Sequence, residues 1–304
     1  MLAGNDGFGA YSACFTDVDT FTQAIRAADV DYVPLAAGPY HAKLTGVSMG
    51  NVFLQRAVDG PHVSRGLVAR DQTSLLTVLG TAPRIMPVVN GNAPGESDTW
   101  LLAPGAEIHA MCRSDQTWVA LSLPVDDFKR LTEYDPASAS SNAGVQLMHI
   151  APNVAYRLRG ALASLCDLAE SMDGVFGRPG VAQALGGGIR DLVTETIFSA
   201  TPDPNQSPRM TREAMRLLRL TEEYLHANIA KPIFLDELSV ALNVSPRKLH
   251  QVFVNACGLS PQVYLKRRRL MLVHRALGSR APDARQEKSV ALGHGFWHLG
   301  KFAR

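Results

Sequence analysis

The chain has 304 residues, 46% of them hydrophobic and 19% charged, the balance of an ordinary globular protein of about two domains rather than a disordered or collagen-like one. It has no apolar run of about 18 residues that could cross a bilayer, no basic start and apolar middle of a signal peptide, and four widely spaced cysteines, Cys14, Cys112, Cys166 and Cys257, with no C-x-x-C pair, so a reduced, cytoplasmic protein is expected. The net charge of +2 hides an asymmetry: residues 1–204 hold 13 Lys and Arg against 21 Asp and Glu, and residues 205–304 hold 17 against 7, so the last hundred residues or so carry the footprint of a nucleic-acid-binding module.

From about residue 10 to 123, short apolar runs are punctuated by breakers. The runs are 74–79 (SLLTVL), 84–89 (RIMPVV), 99–103 (TWLLA) and 117–123 (TWVALSL), with Gly80, Gly91, Pro94, Pro104 and Gly105 between them. Short strands with frequent turn signals suggest a β-barrel or sandwich. In the last run Val119, Leu121 and Leu123 share one face while Trp118, Ala120 and Ser122 share the other, the alternation of a half-buried strand.

From about Pro152 the period changes. Val154, Leu158, Leu162, Leu165 and Leu168 recur at helical spacing, and Val181, Leu185, Ile189, Leu192 and Phe198 repeat it after a break at 174–180. The resulting hairpin, 152–200, could pack on the barrel or on a second subunit. Gly186-Gly187-Gly188 lies within the second helical pattern, a weak point in a helix and not a phosphate cradle. Residues 201–208 (TPDPNQSP) hold three prolines and no large apolar side chain, which reads as a linker. The switch from acidic to basic composition coincides with it, dividing a 1–151 domain and its hairpin from a 209–304 domain.

In the basic part, 211–228 reads as a helix with Met215, Leu218 and Leu225 on its buried side. Leu235, Leu238, Ala241 and Leu242 form a short stripe, with Asp236 and Glu237 complementing the helix dipole. Asn243, tolerant of the left-handed conformation, ends it. Ser245-Pro246 then starts another helix, an N-cap followed by proline at the first position. At about 100° per residue, Leu249, Val252, Phe253 and Ala256 fall on one side, and Arg247, His250, Gln251 and Val254 on the other. Arg and Gln make bidentate contacts with guanine and adenine edges in the major groove. Lys248, flanking them in the first turn, opposes the helix dipole, a placement that suits a nearby phosphate. Ser260-Pro261 repeats the cap-and-proline start, and the helix that follows carries Lys266-Arg267-Arg268-Arg269. These four cations spread around the helix; one or two are expected to pair with acids such as Asp236 or Glu237, leaving the others for phosphates.

The segments LDELSVALNVSPRKLHQVF (235–253), GLSPQVYLKRRRL (258–270) and GFWHLGKF (295–302) resemble, in order and spacing, the DNA-binding domain of the AraC/XylS family of bacterial transcription regulators. The resemblance covers about 211–304. The N-terminal half is similar to that family's effector domains only in architecture and order. The resemblance implies an α+β protein of two domains: a cupin-like β-barrel with a helical hairpin, and an all-α domain of two helix-turn-helix units joined by a long helix, here 260–277. It places the first recognition helix at 245–257, with Arg247, His250 and Gln251 reading bases and Lys248 on a phosphate. The second would begin near Trp297 and bring His298, Gly300, Lys301 and Arg304 towards DNA. Ser289-Val290 runs directly into Ala291-Leu292-Gly293, about three residues (one helical turn) short of the family pattern, and the sequence stops at Arg304, so the second unit reads as incomplete. The implied partners are double-stranded DNA, RNA polymerase, a second copy of the chain and a small-molecule effector, and the implied role is that of an activator. The effector's pocket residues are not fixed by alternation.

Such barrels also host metal-dependent enzymes. His41, His62, His109 and His149 stand alone in the sequence, with no H-x-H pair, and a metal site needs clustered ligands. His294 and His298 straddle Gly295, and His298 is better explained as a DNA contact. There is no G-x-S-x-G elbow, P-loop or G-x-G-x-x-G, so no catalytic residue, metal or cofactor is expected. The alternatives are a barrel-type ligand-binding protein or enzyme with a vestigial DNA-binding domain, and an interaction protein that pairs with another regulator.

Overall fold

Turn residues cut the first half of the chain into strands too short to fold except against one another. The structure, a computed structural model, describes residues 7–36, 38–82, 85–139, 144–172, 174–202, 208–228, 230–231, 233–257, 259–278 and 284–296. The chain divides into two units, Met1–Arg209 and Met210–Arg304. In the first, the order is β1 (Phe8–Phe15), α1 (Val18–Ala24), β2 (Ala28–Pro34), β3 (Ala42–Met49), β4 (Val52–Asp59), β5 (His62–Val68), β6 (Gln72–Ala82), β7 (Val88–Val89), β8 (Asp98–Leu102), β9 (Glu107–Cys112), β10 (Asp115–Pro124), α2 (Val125–Thr132), β11 (Val145–His149), α3 (Pro152–Ser171), α4 (Pro179–Ser199) and β12 (Thr201–Pro202).

The strands pair antiparallel into two sheets, ordered β1-β3-β4-β10-β6-β8-β11-β12 and β2-β5-β9-β7. No strand pairing joins them among the described residues, so the expected cupin-like barrel is not closed; the unit is a two-sheet sandwich. The edges explain this. β7 is two residues long, follows Pro87 and runs into Asn90 in the left-handed region at φ 48°, so it offers little ladder to a further strand. At the opposite corner α1, capped by the Asp17 carboxylate accepting from Thr20 N (2.8 Å), sets Phe21 among Phe15, Tyr32 and Tyr40, with ring centroids 5.6–5.8 Å apart.

The long sheet is covered on both faces. Val119, Leu121 and Leu123 pack with Val47, Met49 and Leu54 against α3 and α4, whereas Trp118 and Ala120 face the second sheet and are nearly as buried. The alternation in 117–123 therefore separates two buried faces, not a buried face from a wet one. The predicted stripe of α3 holds, with Val154, Leu158, Leu162 and Leu165 buried. The α4 stripe is rotated from expectation: Ala182, Gly186, Ile189, Val193 and Ile197 are buried, while Val181 and Phe198 are exposed. Counting only large side chains missed the small residues that permit close approach. A Cβ on Gly186 would stand 3.0 Å from the Met49 carbonyl oxygen, so this one glycine of the run lets the helix sit on β3.

A polar clasp fixes α3 to the sheet. Arg56 on β4 reaches Asp167 (2.6 Å) and Glu170 (2.7 Å), and Lys43 and Thr45 of β3 also bond Glu170. Burial works to raise the Glu170 carboxyl, but the hydrogen bonds from Lys43, Thr45 and Arg56 outweigh it and hold it at about 2, below the ordinary 4.5. A depressed carboxyl adds stability that is present above its unfolded value and is lost as pH falls through the folded one. Thermal unfolding of the wild type is expected to weaken between about pH 4.5 and 2. The Glu170→Gln protein should start less stable at neutral pH and lose less over that interval.

The second unit comprises α5 (Pro208–Ala227), α6 (Leu235–Ala241), α7 (Pro246–Cys257), α8 (Pro261–Gly278) and α9 (Ala284–Gly293). Its buried side chains include Leu217, Leu218, Leu225, Leu238, Leu249, Phe253, Tyr264, Val273 and Ala291. No described helix is long and apolar enough to cross a membrane.

Candidate functional site

The turn between α6 and α7 is built from local chemistry. Asn243 adopts φ 51°, turning the chain out of α6 at low cost for its residue type. The Ser245 hydroxyl accepts from Lys248 N at 3.2 Å, and Pro246 occupies the first helical position, where its missing N–H costs nothing. α7 then lies with Leu249 and Phe253 fully buried and Val252 nearly so. The Phe253 ring meets that of Tyr264 on α8 edge-on, 5.3 Å between centroids. Arg247, His250, Gln251 and Val254 are exposed, so the two faces of the helix are those expected from its spacing. One turn of exposed polar side chains on a helix anchored from behind can reach base edges in a groove. Lys248 is half-buried and pairs with Glu213 on α5 at 3.1 Å, a surface pair of the kind worth about 0–1 kcal/mol and easily exchanged for a phosphate.

The cation run on α8 behaves differently from expectation. Neither Asp236 nor Glu237 takes up its charge in any ion pair among the described residues; the partner is Glu222 of α5. Arg268 Nε donates to Glu222 Oε2 at 3.0 Å with both side chains almost fully buried, and the Tyr264 hydroxyl donates to Glu222 Oε1. Arg269 donates to the Lys231 carbonyl, and its burial depresses its basicity. Lys266 is exposed and Arg267 half-buried. The signal was present in the spacing: Leu218, Glu222 and Leu225 lie on one stripe of α5, and Tyr264, Arg268 and Met271 on one stripe of α8. An acid and a base on two buried stripes are candidates for each other.

α9 closes with Gly295 at φ 80° and Phe296 N donating to the Ala291 carbonyl (3.0 Å). His294 Nδ1 lies 2.8 Å from the Val290 carbonyl. The second recognition helix expected from Trp297, with His298, Gly300, Lys301 and Arg304, lies outside the described residues.

In the first unit, a cavity of about 90 Å³ lies between the two sheets. Every second residue of the facing strands lines it: Ser74, Leu76 and Val78 on β6, Gln116, Trp118 and Ala120 on β10, Ser64, Gly66 and Val68 on β5, Ile108, Ala110 and Cys112 on β9. A bulge in β6, where the register to β10 shifts at Thr117/Trp118, keeps Val78 and Trp118 on the same inward side. Two of the histidines that stand alone in the sequence have side-chain partners. His149 Nδ1 lies 2.6 Å from Asp98 Oδ1, and buried His62 lines the cavity with Cys112 directly opposite it in the strand register. Burial, then the Arg65 charge, push His109 down to about 4, so it stays neutral.

A helix-turn-helix domain family matches residues 238–304. The "XylDLEGF operon transcriptional activator" of Pseudomonas putida is 27% identical over 142 residues, 47% of this chain and 42% of that protein. The P. putida "XylDLEGF operon transcriptional activator 2" is 33% identical over 81 residues, 27% of this chain and 52% of the relative. The chain thus spans about half or less of the length of these relatives. Among solved structures, the AraC-like transcriptional activator CuxR aligns over 87% of this chain and 94% of its own at 15% identity and a TM-score of 0.46, and ToxT from Vibrio cholerae O395 over 83% and 89% at 12% identity and 0.26. With the capped α6–α7 turn and the family match over 238–304, the C-terminal unit carries a helix-turn-helix domain and is similar to the transcriptional activators it matches.

Proposed function

We propose that the protein is a sequence-specific DNA-binding transcription regulator, an activator that responds to an effector. One observation carries this reading: α7 buries Leu249, Val252 and Phe253 and leaves Arg247, His250 and Gln251 exposed together, in a segment matched by a helix-turn-helix family. In this reading Arg247, His250 and Gln251 read bases and Lys248 holds a phosphate, with His298, Lys301 and Arg304 serving a second unit. Residues 1–151 form the effector domain around the intersheet cavity, 152–200 the dimerising hairpin, 201–208 the linker and 209–304 the DNA-binding domain. The protein works as a cytoplasmic homodimer that engages RNA polymerase, and the effector acts by differing in affinity for two arrangements of the chain.

The test is selection of bound fragments from a random duplex library by the purified protein at two salt concentrations. An enriched motif with two half-sites about one helical turn apart is the expected result. Salt-labile binding without enrichment would overturn sequence-specific recognition by the protein without effector.

A further inference from the structure

The intersheet cavity holds an arrangement that neither DNA binding nor simple packing uses. Strands β5 and β9 pair with His62 directly opposite Cys112, both residues line the cavity, and both are almost fully buried. The register sets the thiol and the imidazole side by side on one face of the sheet. His62 Nδ1 lies 2.9 Å from the Gly60 carbonyl oxygen, which only accepts, so Nδ1 carries the hydrogen and Nε2 is left as the base for the thiol. The ring is held in place: Tyr32 stacks on it at 3.9 Å and 14°, and Asp59, which accepts from Trp118 Nε1 at 3.0 Å, stands 3.9 Å from Nδ1. Burial opposes a charge on this imidazole most strongly, but Cys112 and then Asp59 outweigh it and push it up to about 9. A nucleophile, a base and a group orienting the base are thus assembled on the wall of a cavity.

Two more observations define what such a thiol would meet. The walls about it are mainly apolar, with Val68, Leu76, Val78, Val89, Leu102 and Ile108. Trp100 Nε1 and Gln116 Oε1, also on wall residues more than nine-tenths buried, have no hydrogen-bond partner, and an unmet buried donor is costly. An indole N–H without an acceptor, on the wall of a mainly apolar cavity, suits a ligand carbonyl. Cys166 provides the contrast: it lies in the core beneath α3, and burial pushes its thiol up to about 12.

We propose that Cys112 is a modification site, the nucleophile by which the cavity takes up a small apolar α,β-unsaturated carbonyl compound as a covalent thioether. From the state in which the ring is neutral, reached as pH rises towards about 9, His62 Nε2 accepts the thiol proton, and the sulfur forms a bond to the β-carbon of the ligand. The electron pair of the carbon–carbon double bond moves onto the carbonyl oxygen, which accepts a hydrogen bond from Trp100 Nε1. The α-carbon then takes the proton back from His62. The net change adds S–H across the double bond, with no oxidant, reductant or leaving group. This inference deepens the effector-cavity reading above and rests on it only for biological meaning, because the adduct is measurable on the protein alone.

The experiment incubates the full chain with cyclohex-2-enone and follows modification of each cysteine by peptide mass spectrometry. Cys112 is expected to react first, ahead of exposed Cys14 and with Cys166 unmodified, and excess saturated cyclohexanone should slow Cys112 while leaving Cys14 unchanged. The His62→Gln variant should slow Cys112 by about a hundredfold, the scale of a lost general base, without changing Cys14. Modification of Cys14 with Cys112 untouched, or no protection of Cys112 by cyclohexanone in the wild type, would overturn the proposal even if the variant failed to fold. A Cys112 adduct that leaves DNA binding unchanged would count against the effector reading alone.

Discussion

Replacing Glu222 with alanine is expected to remove about 3–5 kcal/mol from the stability of the C-terminal unit, because it strands the Arg268 guanidinium in a site where that side chain is almost fully buried. Both carboxylate oxygens are engaged, Oε2 by Arg268 Nε and Oε1 by the Tyr264 hydroxyl, so two donors on α8 lose this acceptor at once. Phe253 of α7 packs on Tyr264, and the loss therefore reaches the helix that presents Arg247. The measurement is amide hydrogen exchange in the full chain: protection across α5 and α8 should fall by about two orders of magnitude or more, at about 1.4 kcal/mol per tenfold. Protection in β3, β4 and β10 of the other unit should stay as it was. The double variant Glu222→Leu with Arg268→Met should recover most of the loss, because replacing both partners leaves no buried charge. Failure of the double variant to recover would mean that the pair's hydrogen bonds, and not the stranded charge, dominate.

Arg247→Ala and Lys248→Ala should separate reading from holding. Arg247 is exposed at the start of α7, and its truncation is expected to cost about 1–3 kcal/mol on the selected sequence and to relax preference at one base pair. Lys248→Ala should weaken all sequences alike and flatten the salt dependence by about one phosphate contact. Because Lys248 pairs with Glu213 at 3.1 Å, Glu213→Gln should strengthen binding to random DNA slightly, the opposite sign. Titrations of each variant on specific and random duplexes at several salt concentrations decide the matter. Equal losses for Arg247→Ala on both duplexes would remove it as a base reader.

The elements of the C-terminal unit were legible because their signals act within a few residues. Asn243 at a helix end, Ser245-Pro246 and Ser260-Pro261 at helix starts, and the division of α7 into Leu249-Val252-Phe253 and Arg247-His250-Gln251 all depend on backbone geometry that the local sequence dictates. The pairing of the cation run was misassigned to Asp236 and Glu237 because proximity along the chain stood in for proximity in space. Glu222 and Arg268 are 46 residues apart and meet only when α5 packs on α8.

In the N-terminal unit the strands and the α3 stripe could be read, but their arrangement could not. Alternation reports two faces and does not say what covers each; in β10 one face meets α3 and α4 and the other the cavity. Likewise α4 turned about its axis because Gly186, invisible to a count of large apolar residues, makes the closest approach to the sheet.

The amino-acid sequence by itself determined the basic module, its helix boundaries and the outward face of α7, since caps, prolines and periodicity are short-range. Only the tertiary structure decided that the strands form two sheets with no pairing between them among the described residues, that alternate residues of β5, β6, β9 and β10 line a cavity, and that His62 stands opposite Cys112. Those outcomes depend on strand register and on which hydrophobic faces are buried against each other, quantities set by the pairing of distant segments and not by any one of them.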